Sequence, residues 1–187
     1  EISIPVHVLI RPRSGNFCYS ESEFEQMKTD ILICKKMGFQ GIVAGFLTEN
    51  HEIDIEKTKQ LIELSKPLSF TFHRAFDVVS NPKKALTTLL NLKVDRILTS
   101  GTKEKAVDGI QLLIELKKIA AQKLIILPGS GINKDNVMLF KNAGFEEIHA
   151  SASKIIPSEK NLFFDKTIQT ISDMNTIKMI LKSIDNV

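Results

Sequence analysis

Cysteine is scarce in this chain, and its scarcity excludes a fold built on disulfide bonds. Only two of the 187 residues are cysteines, Cys18 and Cys34, and they form no CxxC pair. So few thiols favour a reducing, cytoplasmic setting. The chain also lacks an apolar run near the ~18 residues of a membrane-spanning helix, and no secretory h-region opens it. We therefore expect a cytoplasmic protein without a membrane partner.

Charge of one sign is not concentrated anywhere in the chain. Its 25 Lys and Arg against 22 Asp and Glu leave a net charge of only +3. The basic residues alternate with acids along helical segments, which is typical of solvated helix faces and argues against nucleic-acid binding. A linker rich in Gly, Ser or Pro is absent too. We therefore expect one domain over residues 1–187.

Short apolar runs alternate with segments of helical periodicity. The runs, rich in Val, Ile and Phe, lie at 6–10, 42–47, 69–73, 94–99, 124–128 and 146–150. Helices are predicted over 21–37, 55–65, 82–92, 103–121, 134–143 and 173–185. This alternation predicts stacked βα units around a parallel sheet. A closed barrel has eight such units in ~250 residues, so the predicted fold is an α/β TIM (β/α)8-type barrel with six units present. A flavodoxin-like open sheet is the alternative.

Alternation along the strands places polar side chains on one face. His7, Leu9 and Arg11 share a face, as do Ser69, Thr71 and His73. The same count groups Val43 with Gly45, Leu98 with Ser100, and Glu147 with His149 and Ser151. In a barrel, inward residues near strand C-terminal ends point at the active-site mouth. We expect one cavity, with room for a ligand at the glycine, lined by Arg11, Gly45, His73, Ser100 and His149.

Each of these residues also has a purely structural interpretation. A lone strand histidine is more often a hydrogen-bonded core residue than a catalyst. Two inward histidines beside an inward arginine favour a site. The loops at 100–102 and 128–131 add glycines before predicted helices, so backbone N–H groups there are expected to hold an anion. Glycine at these positions is equally compatible with turn geometry alone.

Several segments carry a family resemblance. They are PVHVLIRPR at 5–13, GNFCY at 15–19, FHRAFD at 72–77, LTSG at 98–101, LPGSG at 127–131 and HAS at 149–151. In this order they resemble the CutC family of copper homeostasis proteins. That resemblance implies a cytoplasmic TIM barrel with a role in copper homeostasis. The family's first two βα units, with an inward acidic residue, are expected to be missing here, and Ser130 stands where the family more often has glycine.

Direct copper binding finds weak support among the residues themselves. Cu(I) selects thiolate or thioether ligands, and the chain has neither a CxxC pair nor a methionine cluster. Cys34 is expected to pack within its helix, and Cys18 to lie near the mouth. His7, His73 and His149 are the alternative ligands, for Cu(II) or Zn(II), if their rings converge. Copper stays possible through the resemblance, and no metal ligand set is assigned.

The alternative function is an enzyme acting on a small phosphorylated or carboxylated substrate. His73 and His149 would move protons, and Arg11 completes the candidate catalytic set. The candidate substrate-binding residues are Arg13, Arg74, Asp77, Ser100, Gly101, Gly129, Gly131 and Ser151. Asp77 would orient a histidine or arginine, or cap the loop that follows it. A scaffold or regulatory protein without chemistry is the third hypothesis.

Missing units would leave two sheet edges open. The 6–10 and 146–150 strands are expected to carry an apolar surface larger than the few hundred Å² usual for a monomer. An N-terminal segment or a partner chain, such as a second copy in a homo-oligomer, is expected to cover it.

Overall fold

The computed structural model describes residues 3–156 and 169–185. One parallel sheet has the order β1-β2-β3-β4-β5, formed by His7–Leu9, Gly41–Ala44, Ser69–Phe72, Arg96–Thr99 and Ile125–Pro128. The helices α1 to α6 are Glu21–Lys36, Ile55–Ser65, Pro82–Asn91, Ile110–Ala120, Val137–Asn142 and Met174–Asp185. A 3-10 turn, Arg74–Val78, follows β3, and an antiparallel pair, β6 (Ser153–Ile155) and β7 (Thr170–Ser172), precedes α6. The parallel sheet with alternating helices confirms the predicted α/β fold class.

The hydrophobic core lies between the sheet and the helices. Every second strand residue turns to this side, and the buried ones are Ile42, Ala44, Phe70, Phe72, Ile97, Thr99, Ile126 and Pro128. Helix α1 meets them with Phe24, Met27, Ile31 and Cys34, at the spacing of one helical face. Each large apolar side chain buried here contributes about 1.5–3 kcal/mol. The opposite face is more open, and Leu9 on the edge strand is 57% exposed.

The early helices begin where the sequence predicts. At α1 the Ser20 hydroxyl accepts the Glu23 N–H while the Glu23 carboxylate accepts the Ser20 N–H, which makes a full capping box. Asp54 caps α2, and Asn81 caps α3. Each side chain satisfies a backbone N–H that the first turn leaves without a helical partner. These local contacts explain why three helix starts can be recognised in sequence.

Two later helices begin after their predicted starts. Helix α4 begins at Ile110 rather than 103, because the intervening segment bonds to neighbouring loops: the Ser100 hydroxyl donates to the Lys103 carbonyl, and the Ala106 N–H to the Ser130 carbonyl. Helix α5 begins at Val137 rather than 134, since asparagine side chains cap the preceding turn. Side-chain contacts of this kind compete with helix formation.

The sixth parallel strand, predicted over 146–150, is reduced to a single bridge. The His149 N–H donates to the Pro128 carbonyl at 2.8 Å, and His149 pairs in parallel with Gly129. The chain then passes through Ala152, which has a φ of 44°, into the β6–β7 pair. That antiparallel pair has no counterpart in the sequence prediction. The described sheet therefore has five full strands and one bridged position.

Exposed apolar side chains lie at the β1 edge of the parallel sheet and in the separate β6–β7 pair. At the β1 edge they include Ile4, Leu9 and, at the end of α1, Met37. In the β6–β7 pair they include Ile155 and Ile171. The size of this surface stays a prediction. In the described residues no helix is both long enough and apolar enough to cross a membrane.

Candidate functional site

Strand register places the candidate residues on one face of the sheet. Leu9 pairs with Val43, Val43 with Thr71, and Thr71 with Arg96. Because paired residues in a parallel sheet share a face, positions two residues further along each strand share it too. Arg11, Gly45 and His73 therefore form one row. The next row contains Ser100, Gly129 and His149, of which the last two are bridged directly. His73 and His149 lie on the same face, as alternation predicts.

Asp77 organises the end of β4. Its Oδ1 accepts hydrogen bonds from the Thr99 hydroxyl at 2.5 Å, the Ser100 N–H at 2.9 Å and the Thr102 N–H at 3.2 Å. Its Oδ2 accepts from Arg74 Nε at 2.7 Å. The Asp77 side chain is only 7% exposed. One carboxylate thus fixes both the loop and the guanidinium.

The sequence predicts a bound anion at the 100–102 loop, and in the structure the Asp77 carboxylate takes that place. Two of the loop's N–H groups, at Ser100 and Thr102, point at the Asp77 carboxylate. The Gly101 N–H turns back to the Thr99 hydroxyl. Helix α4 begins only at Ile110, so no helix end strengthens this loop. The structure gives these backbone groups an internal partner where an external anion was expected.

Arg74 is the basic side chain that the network presents to solvent. Its Nη2 donates to the Ser100 hydroxyl at 2.9 Å, while Nε is held by Asp77. Nη1 has no hydrogen-bond partner within residues 3–156 and 169–185, and 41% of the side chain is exposed. Because Asp77 and Ser100 hold Nε and Nη2, the outer edge of the guanidinium has a fixed orientation. Such an edge suits a carboxylate or phosphate oxygen.

His149 completes this group of residues. A Cβ at Gly129 would lie 2.6 Å from the Leu98 Cδ1 and 3.3 Å from the His149 Cβ, so both side chains pack against the glycine. Partial burial of the imidazole, and then the positive charge of Arg74, lower the pKa of His149. The ring is therefore mainly neutral at pH 7 and can accept a proton. Arg74, Ser100 and Gly129 follow β3, β4 and β5, and His149 lies in the bridged segment beside them. We call these four residues, of which Ser100 and Gly129 are buried, the mouth patch.

His73 belongs to a second, covered group. It is 3% exposed, and its Nδ1 accepts the Ala75 N–H at 3.2 Å, so the neutral ring carries its proton on Nε2. That Nε2 is buried without a partner in the described part of the chain. The Phe17 ring covers His73 at 4.9 Å between centroids, and the Arg11 guanidinium stacks on Phe17 at 4.6 Å.

The space expected at Gly45 is filled by a side chain. A Cβ at Gly45 would lie 2.6 Å from the His73 Nδ1 and 3.1 Å from the Phe72 ring. The glycine therefore makes room for the imidazole of His73, and the expectation of a ligand there is corrected. The alternation predicts the direction of Gly45, but it does not predict which neighbour occupies the gap.

The two remaining arginines both bind to the loop that follows β1. Arg13 donates to Glu23 at 2.6 Å and to the carbonyls of Ser14, Asn16 and Cys18, so it ties the loop after β1 together. Arg11 donates to the Gly15 carbonyl at 2.8 Å. Both side chains are engaged by their own loop.

Gly131 and Ser151 lie at the rim. The Gly131 carbonyl accepts from the Asn136 side chain at 2.9 Å, and its φ is 71°. Ser151 is exposed, with its hydroxyl 3.3 Å from that of Ser153. Neither is hydrogen-bonded to the Arg74–Asp77–Ser100 network in the described residues. That network also holds Gly101, through Thr99, and the bridged pair Gly129 and His149 lies next to it.

Sequence reasoning missed the roles of Phe17 and Thr99. Phe17 covers His73, and Thr99 donates to Asp77. Phe17 lies in a loop outside any periodic segment, and its only signal in the sequence is its place in the GNFCY segment at 15–19. Thr99 falls on the helix-facing side of β4, where alternation predicts an apolar contact.

A three-histidine metal site is not supported by the geometry. His7 pairs with Gly41, and Gly41 with Ser69, which is four residues below His73 along β3. That separation is roughly 13 Å along the strand direction. Within the described ranges, no three His, Cys, Asp or Glu side chains form a metal-binding arrangement. Cys34 is buried, and burial raises the pKa of its thiol. The donors present do not fit copper.

The buried state of His73 predicts a pH dependence of stability. Burial lowers its pKa to about 4, from about 6.5 in an unfolded chain. The unfolded state then binds the proton more tightly, so this contribution is complete above pH 6.5 and is lost as the pH falls toward 4. The loss is about 3 kcal/mol. Urea unfolding of the natural chain at pH 7, 6, 5 and 4 measures it.

His73→Asn is the matched control, because its side-chain oxygen still accepts the Ala75 N–H but does not titrate. The acidic loss of stability is expected to be smaller in this variant by most of the His73 contribution. Equal slopes in both proteins between pH 6.5 and 5 would contradict a buried neutral imidazole.

The parallel strands follow one another in chain order, with helices between them, which is the arrangement of a TIM-barrel protein. Residues 1–154 match the model of the CutC family, and the chain belongs to that family. A family protein CutC of Edwardsiella ictaluri (strain 93-146) is 44% identical over 157 residues, 84% of this chain and 62% of that protein. A family protein CutC of Proteus mirabilis (strain HI4320) is 48% identical over 160 residues, which are 86% of this chain and 64% of that protein. The chain thus spans less than two thirds of these relatives' length.

Solved structures agree on the fold. The crystal structure of a candidate copper homeostasis protein CutC from Streptococcus agalactiae has a TM-score of 0.74 and 34% identity, covering 78% of this chain and 72% of that one. The native KDPGal structure has a TM-score of 0.55 at 11% identity, over 84% of this chain and 64% of that one, and shares the fold alone.

Proposed function

We propose that the mouth patch binds a small anionic molecule, phosphorylated or carboxylated, and that His149 exchanges a proton with it. The observation that carries this proposal is the Arg74 guanidinium, held by Asp77 and Ser100 with its outer nitrogen open. Arginine binds oxyanions through paired N–H groups in this way. The reaction class is general acid–base catalysis on an anionic substrate.

His149 is the better proton carrier of the two histidines. Its imidazole reaches solvent beside Arg74, and its lowered pKa keeps it neutral and able to act as a base near pH 7. His73 is covered by Phe17, and its pKa of about 4 keeps it neutral throughout the physiological range. We assign His73 a supporting role and place Arg11, stacked on the same phenylalanine, with it.

Inorganic phosphate is the probe for the anion site. Arg74→Gln is expected to weaken phosphate binding by about 10- to 100-fold, because a hydrogen bond to a charged group contributes about 1.5–3 kcal/mol. Calorimetric titration at pH 7 and low salt measures the change. Unaltered affinity in this variant would rule out Arg74 as the anion-binding residue.

Lys59→Gln is the charge-matched control. Lys59 is an exposed residue of α2, and its removal changes the net charge by the same amount without touching the mouth patch. Phosphate affinity is expected to stay within about twofold of the natural chain, since exposed charges at a distance are screened by salt. An equal loss in both variants would indicate attraction by overall charge only.

Copper handling is the second candidate. It is favoured by membership in the CutC family and by the description of the Streptococcus agalactiae relative. Cu(I) prefers thiolates, but Cys34 is buried, Cys18 is half-buried and the two form no CxxC pair, so this candidate rests on family membership.

The two free cysteines support a cytoplasmic location. A shared core for the described sheet and helices supports a single domain over 1–187.

A further inference from the structure

We infer that the ion pair between Arg96 and Glu147 positions His149 at the mouth patch. This inference rests on the proposed function only for the role of His149. Glu147 precedes His149 by two residues, so by alternation both side chains leave the same face of the sheet. Neither member of the pair lies in the mouth patch, and they are positioning residues.

The segment that carries His149 has little backbone support. It is joined to β5 by one bridge, through the His149 N–H and the Pro128 carbonyl. β4 and β5, by contrast, pair over four positions. A single backbone hydrogen bond at the edge of a sheet opens readily. The position of the His149 ring therefore depends on side-chain contacts near it.

The Arg96–Glu147 pair supplies such a contact. Arg96 Nε and Nη2 donate to the two carboxylate oxygens of Glu147 at 2.7 and 2.9 Å, a bidentate arrangement. The side chains are 23% and 37% exposed. The hydrogen-bonded contact raises the pKa of Arg96 and lowers that of Glu147, as expected for an ion pair.

Arg96 is itself anchored to the interior of the sheet. Its Nη1 donates to the Ser69 hydroxyl of β3 at 2.8 Å. The guanidinium of Arg96, a residue of β4, therefore binds both Ser69 of β3 and Glu147 beyond β5. These contacts connect the well-paired strands to the weakly paired segment. They hold that segment at Glu147, and the bridge to Gly129 holds it at His149.

Hydrogen exchange of the His149 amide tests this inference on the protein without ligand. In Glu147→Gln this amide is expected to exchange about tenfold faster, because the segment opens without its charged anchor. The Gly129 amide, which donates to the Thr99 carbonyl, is the internal reference and is expected to keep its rate. Arg96→Lys, which keeps the charge but not the bidentate geometry, is expected to give an intermediate acceleration.

The titration of His149, followed by NMR, is the second readout. In Glu147→Gln its pKa is expected to rise toward the ordinary value, because a released ring leaves its partly buried place beside Arg74. Glu146→Gln is the matched control, since Glu146 is exposed and forms no ion pair in the described residues.

Unchanged hydrogen exchange of the His149 amide and an unchanged His149 titration in Glu147→Gln would overturn the inference. Equal acceleration of both amides would overturn it too, since it would mean a general loss of stability. Phosphate binding that fails to depend on Arg74 would instead refute the proposed function alone.

Discussion

Asp77→Ala is expected to lower the free energy of unfolding by about 2–4 kcal/mol, because it leaves buried hydrogen-bond donors without their acceptor. The substitution leaves Arg74 without its carboxylate. It also leaves the Thr99 hydroxyl and the N–H groups of Ser100 and Thr102 without their acceptor. Urea unfolding at pH 7 measures the change.

Two comparisons isolate the charge of Asp77. Asp77→Asn keeps an acceptor oxygen of the same size, so its loss is expected to be smaller than that of the alanine variant. Asp135→Ala removes an exposed carboxylate paired with Lys134, and its effect is expected to stay within about 0.5 kcal/mol. A loss below about 1 kcal/mol in Asp77→Ala would contradict the central place given to this residue.

Gly101→Ala is expected to destabilise the protein by about 3 kcal/mol or more. The residue has a φ of 70°, which alone costs an alanine about 1–2 kcal/mol. Its added Cβ would also meet the Gly109 carbonyl oxygen and lie 3.0 Å from the Gly109 Cα. Both obstacles are backbone atoms, which cannot turn away as a side chain does. Thermal and urea unfolding measure the loss.

Gly38→Ala separates the two costs. Gly38 has a φ of 78°, close to that of Gly101, but no atom lies within 4 Å of the position of its added Cβ. This variant is expected to lose only the conformational part, about 1–2 kcal/mol. If both variants lose the same amount, the close approach of the loops at Gly101 and Gly109 is not a source of instability.

Much of the frame is encoded in short stretches of sequence. Strand alternation predicts the shared face of His73 and His149, and the register confirms it. The capping residues Ser20, Asp54 and Asn81 act within three residues of themselves, so their effect can be recognised without a structure. The resemblance to the CutC family, carried by motifs across the chain, is confirmed by the family match.

The contacts that could not be predicted join residues far apart in sequence. Asp77 meets the loop after β4 more than twenty positions away, and no local pattern tells whether that loop holds a ligand or a carboxylate of the same chain. The contact between the His73 ring and Gly45 likewise joins residues that lie far apart in sequence. The short bridge at His149 likewise depends on how tightly the last segment docks, which apolar content alone does not determine.

The Glu23 carboxylate connects the first turn of α1 to the loop whose Phe17 ring covers His73. Glu23 accepts the Ser20 N–H that begins the helix, and it also accepts from Arg13. Arg13 in turn holds carbonyls on both sides of Phe17, the ring that shields the imidazole. Fraying of the helix end therefore loosens the loop as well, and the two behave as one cooperative unit. We therefore expect water and protons to reach the buried imidazole more often when the first turn of α1 frays.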